Sequence, residues 1–598
     1  MGTSRERTQT VQVKNSRQNQ QQGEKLQPRL FSARRFSGFR PITAIAAVVL
    51  IAVLVIVVVI PVAYVFYGAT RSGTIGDPQT HFSWEPLATL LSSTYLVSFA
   101  GTILIGLLVA TFSVIFGGIF AWLLTRTDMP FKKFFEIVVI APLLLSPFIG
   151  AIAWLTLAAP NSGMINVLAE NLGIAGPIVD ITQPAGTIFV MCLYFLPYAY
   201  LFTSASLKNM DPVYEEASYM AGKSVLRTVF TVTLPLVRPA LVSSFFLIAI
   251  LSLGVFSIPA VLGGRTGFQP VAVLVYRAVE ANSNFALASA IGVGVVALAL
   301  VGTILYRWAL RSSNRFTTIT ARGFRPRQMR IGWLKVPALV ASFGYLALAI
   351  VLPNIALVII SLTPYTQTDV TNLTFTLEHW QAILDNRYAM MAFGNTMVVG
   401  LIAPTITIAI ALLVSYIVER TKWRIRRVVD FVAVIPVAIP GIVFATGFIW
   451  AYVTTPIYAT IWILIFAFVG SYIPHATRVI NASFVQIDPA LEEAARVNGA
   501  GHARVLSRIT APLAMPAVLS GWILVFLLVI RDVNTAIMLY SPRATILPVV
   551  TWNFVADGDV RSAAVVGLIE TIILILVVVL ARIIFRVRLT SVVGREMK

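Results

Sequence analysis

The chain has 598 residues, of which 58% are hydrophobic and only 12% charged, and its mean hydropathy is +0.85. This composition excludes a soluble globular enzyme and indicates a polytopic membrane protein. The net charge of +20 does not indicate nucleic-acid binding, because the basic residues are concentrated in alternate polar segments, which is the positive-inside pattern of membrane proteins.

The predicted elements begin with a polar, basic tail at residues 1–41, which we expect to be disordered and cytoplasmic. Apolar segments long enough to cross a bilayer as helices follow along the whole chain. The twelve predicted spans are 42–67, 95–124, 135–159, 187–207, 240–262, 286–309, 335–362, 391–418, 428–453, 457–477, 517–540 and 563–586.

The spans divide into two halves of six. An even number of spans per half gives both halves the same orientation, so the repeat is parallel and both termini are cytoplasmic. The predicted fold is an all-α polytopic membrane protein with about 12 transmembrane helices in two parallel six-helix repeats. The first repeat is 42–310, with its core at about 95–309, and the second is 335–598, with its core at about 391–586. A basic cytoplasmic linker, 311–334, joins them.

A polar segment is repeated between these halves. Asp211 to Ser218 reads DPVYEEAS and returns as DPALEEAA at Asp488 to Ala495, 277 residues further on. Twelve of the 31 positions from Asp211 to Leu241 are identical in the second copy. Because loops without contacts tolerate change, we infer that both copies contact another protein.

The repeated segment predicts a helix, a glycine and a second helix. Asp211 is suited to cap the first helix and Pro212 to begin it, and Gly222 is suited to end it. Ser224 is suited to start a second helix that ends before Pro235. Asp488 through Pro512 predicts the same arrangement.

These two segments resemble the EAA loop of binding-protein-dependent ABC importer permeases, with Ser218 and Ala511 as small departures. The resemblance implies a duplicated type I ABC importer transmembrane domain in a bacterial inner membrane, with each loop forming a coupling helix on one of two separate ATPase subunits. It also implies a periplasmic or lipoprotein solute-binding protein as a partner. The coupling residues implied are Glu215, Glu216, Ala217, Gly222, Pro235, Glu492, Glu493, Ala494, Ala495, Gly499 and Pro512.

We expect no catalysis by the chain itself. Gly222-Lys223-Ser224 ends like a phosphate-binding loop but lacks its first glycine, since position 217 is alanine. The single cysteine, Cys192, excludes an intrachain disulfide, and the four histidines show no metal-ligand spacing. We therefore expect no metal or cofactor on this chain, with ATP and magnesium bound by the partner ATPases.

The candidate translocation residues are two charges in the eleventh predicted span. Arg531 and Asp532 are costly if they face lipid, so we expect them to face the bundle interior or a water-filled path, or to bond neighbouring helices as a structural pair. Asn534 lies beside them, and the matching segment of the first half, with Phe256 and Ser257, is uncharged. The predicted pathway is therefore asymmetric.

Iron(III) is the expected solute, because the chain looks most like the fused iron(III)-type permeases. Thiamine, phosphonate, polyamine or sulfate are alternatives for the same machinery. A secondary transporter of six plus six spans is a further alternative, although its typical signature is missing from the loops after the second and eighth spans. A membrane scaffold or sensor would not require intramembrane charges.

Overall fold

The computed structural model describes residues 41–73, 75, 80–263, 269–281, 283–310, 328–364, 373–421 and 424–585. The predicted disordered tail (residues 1–40 of it), most of the predicted linker and residues 586–598 lie outside the described residues. The chain divides into an N-terminal unit, Met1–Val49, whose described residues begin a helix at Pro41, and a compact unit, Leu50–Lys598. All packing described below is within the compact unit.

Nine helices in the described part of the chain are long and apolar enough to cross a membrane, and three bent helix pairs bring the number to twelve if each pair is one span. The all-α polytopic fold with about twelve spans is therefore confirmed. The unbroken spans are Ala47–Gly68 (span 1), Ser93–Arg126 (span 2), Pro184–Asn209 (span 4), Val225–Leu253 (span 5), Phe285–Leu310 (span 6), Gly332–Ser361 (span 7), Arg387–Arg420 (span 8), Ile461–Phe484 (span 10) and Val560–Ala581 (span 12).

Spans 3, 9 and 11 are broken. Span 3 joins Lys132–Leu143 to Pro147–Ala158 at 97°, span 9 joins Arg426–Ala438 to Gly441–Tyr452 at 114°, and span 11 joins His502–Leu513 to Met515–Ile530 at 75°. The continuous helices predicted over 135–159 and 428–453 are therefore wrong in their interiors. Prolines lie at both of these breaks, where each removes an amide donor and its ring crowds the carbonyl four residues earlier.

Four π-helical turns each end two residues before a proline. They are Val55–Val59 before Pro61, Val229–Thr233 before Pro235, Ala347–Val351 before Pro353, and Leu506–Thr510 before Pro512. A π turn bonds each amide to the carbonyl five residues earlier, which widens the helix and makes room for the proline ring.

The bounds of spans 5 and 11 differ from the prediction as a result. The helix does not end before Pro235, because the π turn carries it from Val225 to Leu253. The stretches predicted to complete these spans form separate short helices, Ser257–Leu262 and Val533–Leu539.

The remaining helices lie between spans. They are Glu85–Thr89, Met164–Asn171, Val213–Met220, Val271–Glu280, Glu378–Asp385, Pro489–Val497 and Leu547–Ala556. Met164–Asn171 lies in a segment present only in the first half, between spans 3 and 4. The buried Asn166 fixes it by donating to the carbonyls of Ala159 at 2.8 Å and Val179 at 2.7 Å.

Each half has a core of three spans, and its first span packs against the other half. Spans 2, 4 and 5 pack together in the first half, and spans 8, 10 and 11 in the second. Span 1 packs against the second helix of span 9, and span 7 packs against the second helix of span 3. Gly447 lies so close to the carbonyl of Pro61 that no side chain fits there. The two halves therefore interlock.

Candidate functional site

The two repeated polar segments form matching short helices, Val213–Met220 (the first loop helix) and Pro489–Val497 (the second loop helix). Asp211 accepts a hydrogen bond from the amide of Val213 at 3.0 Å, and Asp488 accepts one from Ala490 at 2.9 Å. Aspartates at the N-termini thus bind otherwise free amides, as the sequence predicted.

Glycine ends each loop helix in a left-handed conformation, as predicted. Gly222 has a φ of 77° and Gly499 a φ of 84°. The next amide bonds back across the end of the helix, from Lys223 to Ser218 at 3.2 Å and from Ala500 to Ala495 at 3.0 Å. This geometry strains residues with a Cβ atom, so the glycines are required by backbone conformation.

The first glutamate of the repeated motif is a buried anchor. Glu215 is 4% exposed, forms an ion pair of 3.6 Å with Arg126 at the end of span 2, and accepts a hydrogen bond of 2.6 Å from Thr233 at the start of span 5. Arg126 also donates to the carbonyls of Leu207 and Met210 at the end of span 4, at 2.7 and 2.8 Å. This group, the first clamp, ties three spans to the loop helix.

Burial raises the pKa of Glu215 above its ordinary value, while Arg126 and Thr233 lower it in part. The carboxylate is compensated by a cation and a hydroxyl, which a charge in this position requires.

The second clamp repeats the first. Glu492 pairs with Arg420 at 3.0 Å and accepts from Thr510 at 2.9 Å. Arg420 donates to the carbonyls of Phe484 and Ile487, both at 2.6 Å. The three partners of each arginine, one glutamate and two backbone carbonyls, thus occupy equivalent positions in the two halves.

The surroundings of the two clamps differ. In the second half, Arg496 forms an ion pair of 3.6 Å with Glu492 and donates to Tyr416 at 3.3 Å. In the first half, the end of the linker, described from residue 328, takes this place. Met329 exchanges backbone hydrogen bonds of 2.9 Å with Arg126 and Asp128, and Tyr219 of the first loop helix donates to its sulfur at 2.9 Å.

The other predicted loop residues are exposed. Glu216, Ala217, Gly222 and Pro235 are exposed in the first half, as are Glu493, Ala494, Gly499 and Pro512 in the second, and Ala495 is half-buried. Apolar side chains share this surface at matching positions. Met220 and Val497 are 89% and 88% exposed, and Tyr214 and Leu491 are 48% and 50% exposed.

The structure places Arg531 at the end of a helix rather than well inside one. Span 11 ends at Ile530, and Arg531 donates through one nitrogen to the carbonyls of Leu143 and Leu145, at 2.8 Å for Leu145. Those carbonyls lie at the break in span 3. Arg531 therefore binds the C-terminal end of a half-helix of the other half, where cations are favoured.

Asp532 forms its hydrogen bonds with Thr535 and Tyr472 and not with its neighbour Arg531. It caps Val533–Leu539 by accepting from the amide and hydroxyl of Thr535 at 3.1 and 2.7 Å. Tyr472 of span 10 donates to it at 2.8 Å. Asn534 is half-buried, and its side-chain oxygen has no hydrogen-bond partner among the described residues.

The first-half candidates lie in an aromatic cluster. Phe256 and Ser257 are buried. The Phe256 ring contacts Tyr276 and Trp552, with ring centroids 5.1 Å apart in each case, and Trp552 donates to the hydroxyl of Tyr276 at 3.1 Å. Trp552 belongs to the second half, so the cluster joins the halves.

Sequence reasoning missed several residues with partners in these sites. The bonds of Arg126 and Arg420 to the loop helices were not foreseen, and neither were those of Thr233 and Thr510. Glu570 of span 12 is fully buried, and it was also missed. An acidic residue within an apolar span is a signal that was available. In the described part of the chain, no three metal-ligating side chains come together.

Comparison with known proteins places these sites in a family context. The family described as "Binding-protein-dependent transport system inner membrane component" matches residues 113–315 and again 408–588. The chain is 25% identical over 508 residues to the ferric transport system permease protein FbpB of Actinobacillus pleuropneumoniae, which covers 83% of this chain and 72% of that protein.

Two relatives from Haemophilus influenzae extend the comparison. The Fe(3+)-transport system permease protein FbpB 2 is 25% identical over 505 residues, covering 84% of this chain and 91% of the relative. The spermidine/putrescine transport system permease protein PotC is 26% identical over 212 residues, covering 36% of this chain and 82% of the relative. The family match does not favour the secondary-transporter or scaffold alternatives. This multi-pass chain belongs to the family of binding-protein-dependent transport system inner membrane components, and it carries the family's domain twice.

Proposed function

We propose that this chain is the permease subunit of an ATP-driven importer and forms the translocation pathway for iron(III) delivered by a solute-binding protein. Two ATPase subunits dock on the two loop helices, bind ATP and magnesium, and supply the energy. The chain itself binds no cofactor. Its termini are cytoplasmic, which puts both loop helices on the same side as the ATPases.

The observation that supports this proposal most strongly is the pair of matching clamps. Each holds a loop helix firmly from within while leaving its outer surface exposed. The buried glutamates bond the spans, whereas Tyr214, Met220, Leu491 and Val497 remain accessible. Exposed apolar side chains on a polar loop are typical of protein interfaces.

The clamps also suggest how force passes into the membrane. In the first half, Arg126, Glu215 and Thr233 connect the loop helix to the adjoining ends of spans 2, 4 and 5. A displacement of the loop helix by an ATPase therefore moves these three spans as one body. The second clamp does the same for spans 8, 10 and 11.

Iron(III) is the proposed cargo because the two ferric relatives align with both halves of this chain. Both cover more than four fifths of it, whereas the polyamine permease aligns with about a third. Thiamine, phosphonate, polyamine and sulfate transporters use the same kind of machinery, so these solutes are the competitors to test.

A test of the docking surface uses exposed residues, whose replacement leaves the fold intact. Met220→Asp and Val497→Asp place a charge on each loop helix. Leu172→Asp is the matched control, because Leu172 is 74% exposed and lies in the loop on the opposite side of the membrane. We expect each loop variant to bind less ATPase than the unsubstituted chain, because one of the two docking sites is lost, and the chain with both replacements to lose co-purification, while the control retains it. Retention by the chain with both replacements would contradict the proposed docking.

The cargo is tested in liposomes that contain the chain, the ATPase and the binding protein. We expect ATP hydrolysis and uptake to rise when iron(III)-loaded binding protein is added, and not with spermidine, thiamine, sulfate or a phosphonate. Stimulation by one of those solutes alone would replace iron(III) as the cargo, while uptake driven by an ion gradient without ATP would overturn the importer itself.

A further inference from the structure

The break in span 3 receives two charged side chains, and both come from the opposite half. Arg531 of span 11 binds the carbonyls of Leu143 and Leu145. Leu144 packs against apolar residues of spans 11 and 12. Glu570 of span 12 lies beside Ser146, the residue after Leu145 at the same break.

Glu570 is buried without a hydrogen bond in this arrangement. Its side chain is 0% exposed, and neither carboxylate oxygen has a hydrogen-bond partner among the described residues. The hydroxyl of Ser146 is adjacent but forms no hydrogen bond of normal geometry. A buried carboxyl group without partners is costly, and charges inside membrane spans usually serve a function.

At the equivalent break in span 9, the two corresponding positions of the first half carry no charge. Gly254 ends span 5 as Arg531 ends span 11, and it packs directly against Pro440. Gly292 of span 6 packs on Val443 as Gly567 of span 12 packs on Ile149.

Val295 lies three residues after Gly292, and Glu570 lies three residues after Gly567, so Val295 is the equivalent of Glu570. Val295 is buried, with 2% of its surface exposed. The fold therefore accepts glycine and valine where the second half has arginine and glutamate. Since the charges are not needed to build the break, they require another explanation.

We propose that Glu570 is a positioning residue for Arg531 and that the guanidinium exchanges between the carbonyls of span 3 and the carboxylate of Glu570 during transport. The inference rests on the proposed importer function, because the ATPases drive the exchange. In the state described, Arg531 holds the break in span 3. When the break moves, the arginine loses these acceptors and Glu570 accepts its donors.

The chemistry of the two partners makes them suitable for such an exchange. Carbonyls at the end of a helix carry partial negative charge, whereas a carboxylate carries a full charge and binds guanidinium through two hydrogen bonds. Each conformation then has an acceptor for the same cation, so Arg531 is never left buried without one. A two-position contact of this kind biases a structure between two discrete states.

The first test compares single and double replacements in the reconstituted complex. Glu570→Val copies the residue of the first half, and Glu570→Gln keeps the shape of the side chain. Thr571→Val is the control, because Thr571 is its buried neighbour and bonds only its own helix. We expect both Glu570 variants to reduce the maximal transport rate at least about tenfold, with assembly, KM for loaded binding protein and the control unchanged.

Pairing of the two residues predicts a specific double-variant result. Arg531→Gln combined with Glu570→Gln should transport no more slowly than the slower single variant, because the pair acts as one unit. A transport loss in the double variant equal to the product of the two single-variant losses would overturn the inference. So would normal transport by Glu570→Gln.

A second measurement follows the break directly. Ile149→Cys and Gly567→Cys, in a Cys192→Ala background, place two thiols at a contact between spans 3 and 12. A Cβ atom added at Gly567 would lie 3.2 Å from Cγ2 of Ile149. We expect ATP with vanadate to lower the disulfide yield, and Glu570→Gln to abolish that response. An unchanged response in the variant would refute the exchange. Lack of ATP-driven transport by the unsubstituted complex would instead remove the importer function.

Discussion

The hydroxyl of Tyr345 on span 7 donates at 2.9 Å to the carbonyl of Leu193 on span 4. Leu193 lies four residues before Pro197, so its carbonyl has lost its usual helical donor. Tyr452 likewise donates to the carbonyl of Ile56, near Pro61, at 2.6 Å. In both cases, a tyrosine of the second half bonds a carbonyl beside a proline in the first half.

Replacing Tyr345 tests the value of this contact. Tyr345→Phe removes the hydroxyl and leaves the Leu193 carbonyl without a donor, so we expect a loss of about 1 kcal/mol in stability. The measurement is the thermal unfolding midpoint in detergent. Tyr458→Phe, at a partly exposed position, serves as the control and should unfold at the wild-type temperature; an equal midpoint for both variants would contradict this role.

The two clamps should respond unequally to the same change. Thr233→Val and Thr510→Val each remove one hydroxyl donor to a buried glutamate, at a cost of about 1–2 kcal/mol. Glu492 retains Arg496 as a second cation, whereas Glu215 is paired with Arg126 and with no other cation among the described residues. We therefore expect faster hydrogen exchange in the first loop helix of Thr233→Val than in the second loop helix of Thr510→Val. Equal rates would show that Arg496 adds nothing.

The glycines that end the loop helices should resist substitution by residues with a Cβ atom. Gly222→Ala and Gly499→Ala force alanine into a left-handed conformation, which costs about 1–2 kcal/mol. Nothing lies within 4 Å of either missing Cβ, so any effect comes from the backbone. Gly344→Ala is the control, because this helical glycine also has free space and no positive φ. Urea or thermal unfolding should show a loss of stability for Gly222→Ala and Gly499→Ala and none for Gly344→Ala.

The end of the linker, residues 328–334, should detach from the first half when Asp128 is neutralised. Lys335 pairs with Asp128 at 2.7 Å and, chiefly through that hydrogen bond, holds the pKa of Asp128 below its ordinary value. A lowered pKa means that this contribution is complete above the ordinary aspartate value of about 4 and is lost as the pH falls through the lowered pKa.

Asp128→Asn should have the same effect at neutral pH. We expect faster trypsin cleavage after Arg330 in this variant. In the wild-type chain we expect a comparable increase in cleavage of this segment only in acid, measured with an acid-stable protease. Asp430→Asn is the control for loss of a carboxylate. Unchanged cleavage in Asp128→Asn would mean that the backbone bonds of Met329 alone hold the segment.

Much of the fold could be predicted from the sequence because lipid imposes length and polarity on every span. The repeat also predicted two equal loops, and the capping aspartates and glycines occupy their predicted positions. The breaks in spans 3 and 9 could not be predicted in the same way, because prolines such as Pro197 and Pro474 lie within continuous helices while others end them.

The candidate sites show the same division. The repeated motif identified the loop residues, yet it did not distinguish the buried Glu215 from the exposed Glu216, since both are acidic neighbours in one helix. Span 2 had to be placed beside the loop before Arg126 could be recognised as the partner. Arg531 was found from its charge, but its acceptors are backbone carbonyls, which carry no signature in the sequence.

The interlocked first spans have a consequence for biosynthesis. Span 1 packs on span 9, whose residues are translated almost 400 positions later. Gly447 of span 9 lies directly against the carbonyl of Pro61 in span 1. The ribosome therefore releases span 1 into the bilayer long before its partner exists. Lipid or an insertion chaperone has to cover its inner face during that interval, and final assembly waits until the second half has been inserted.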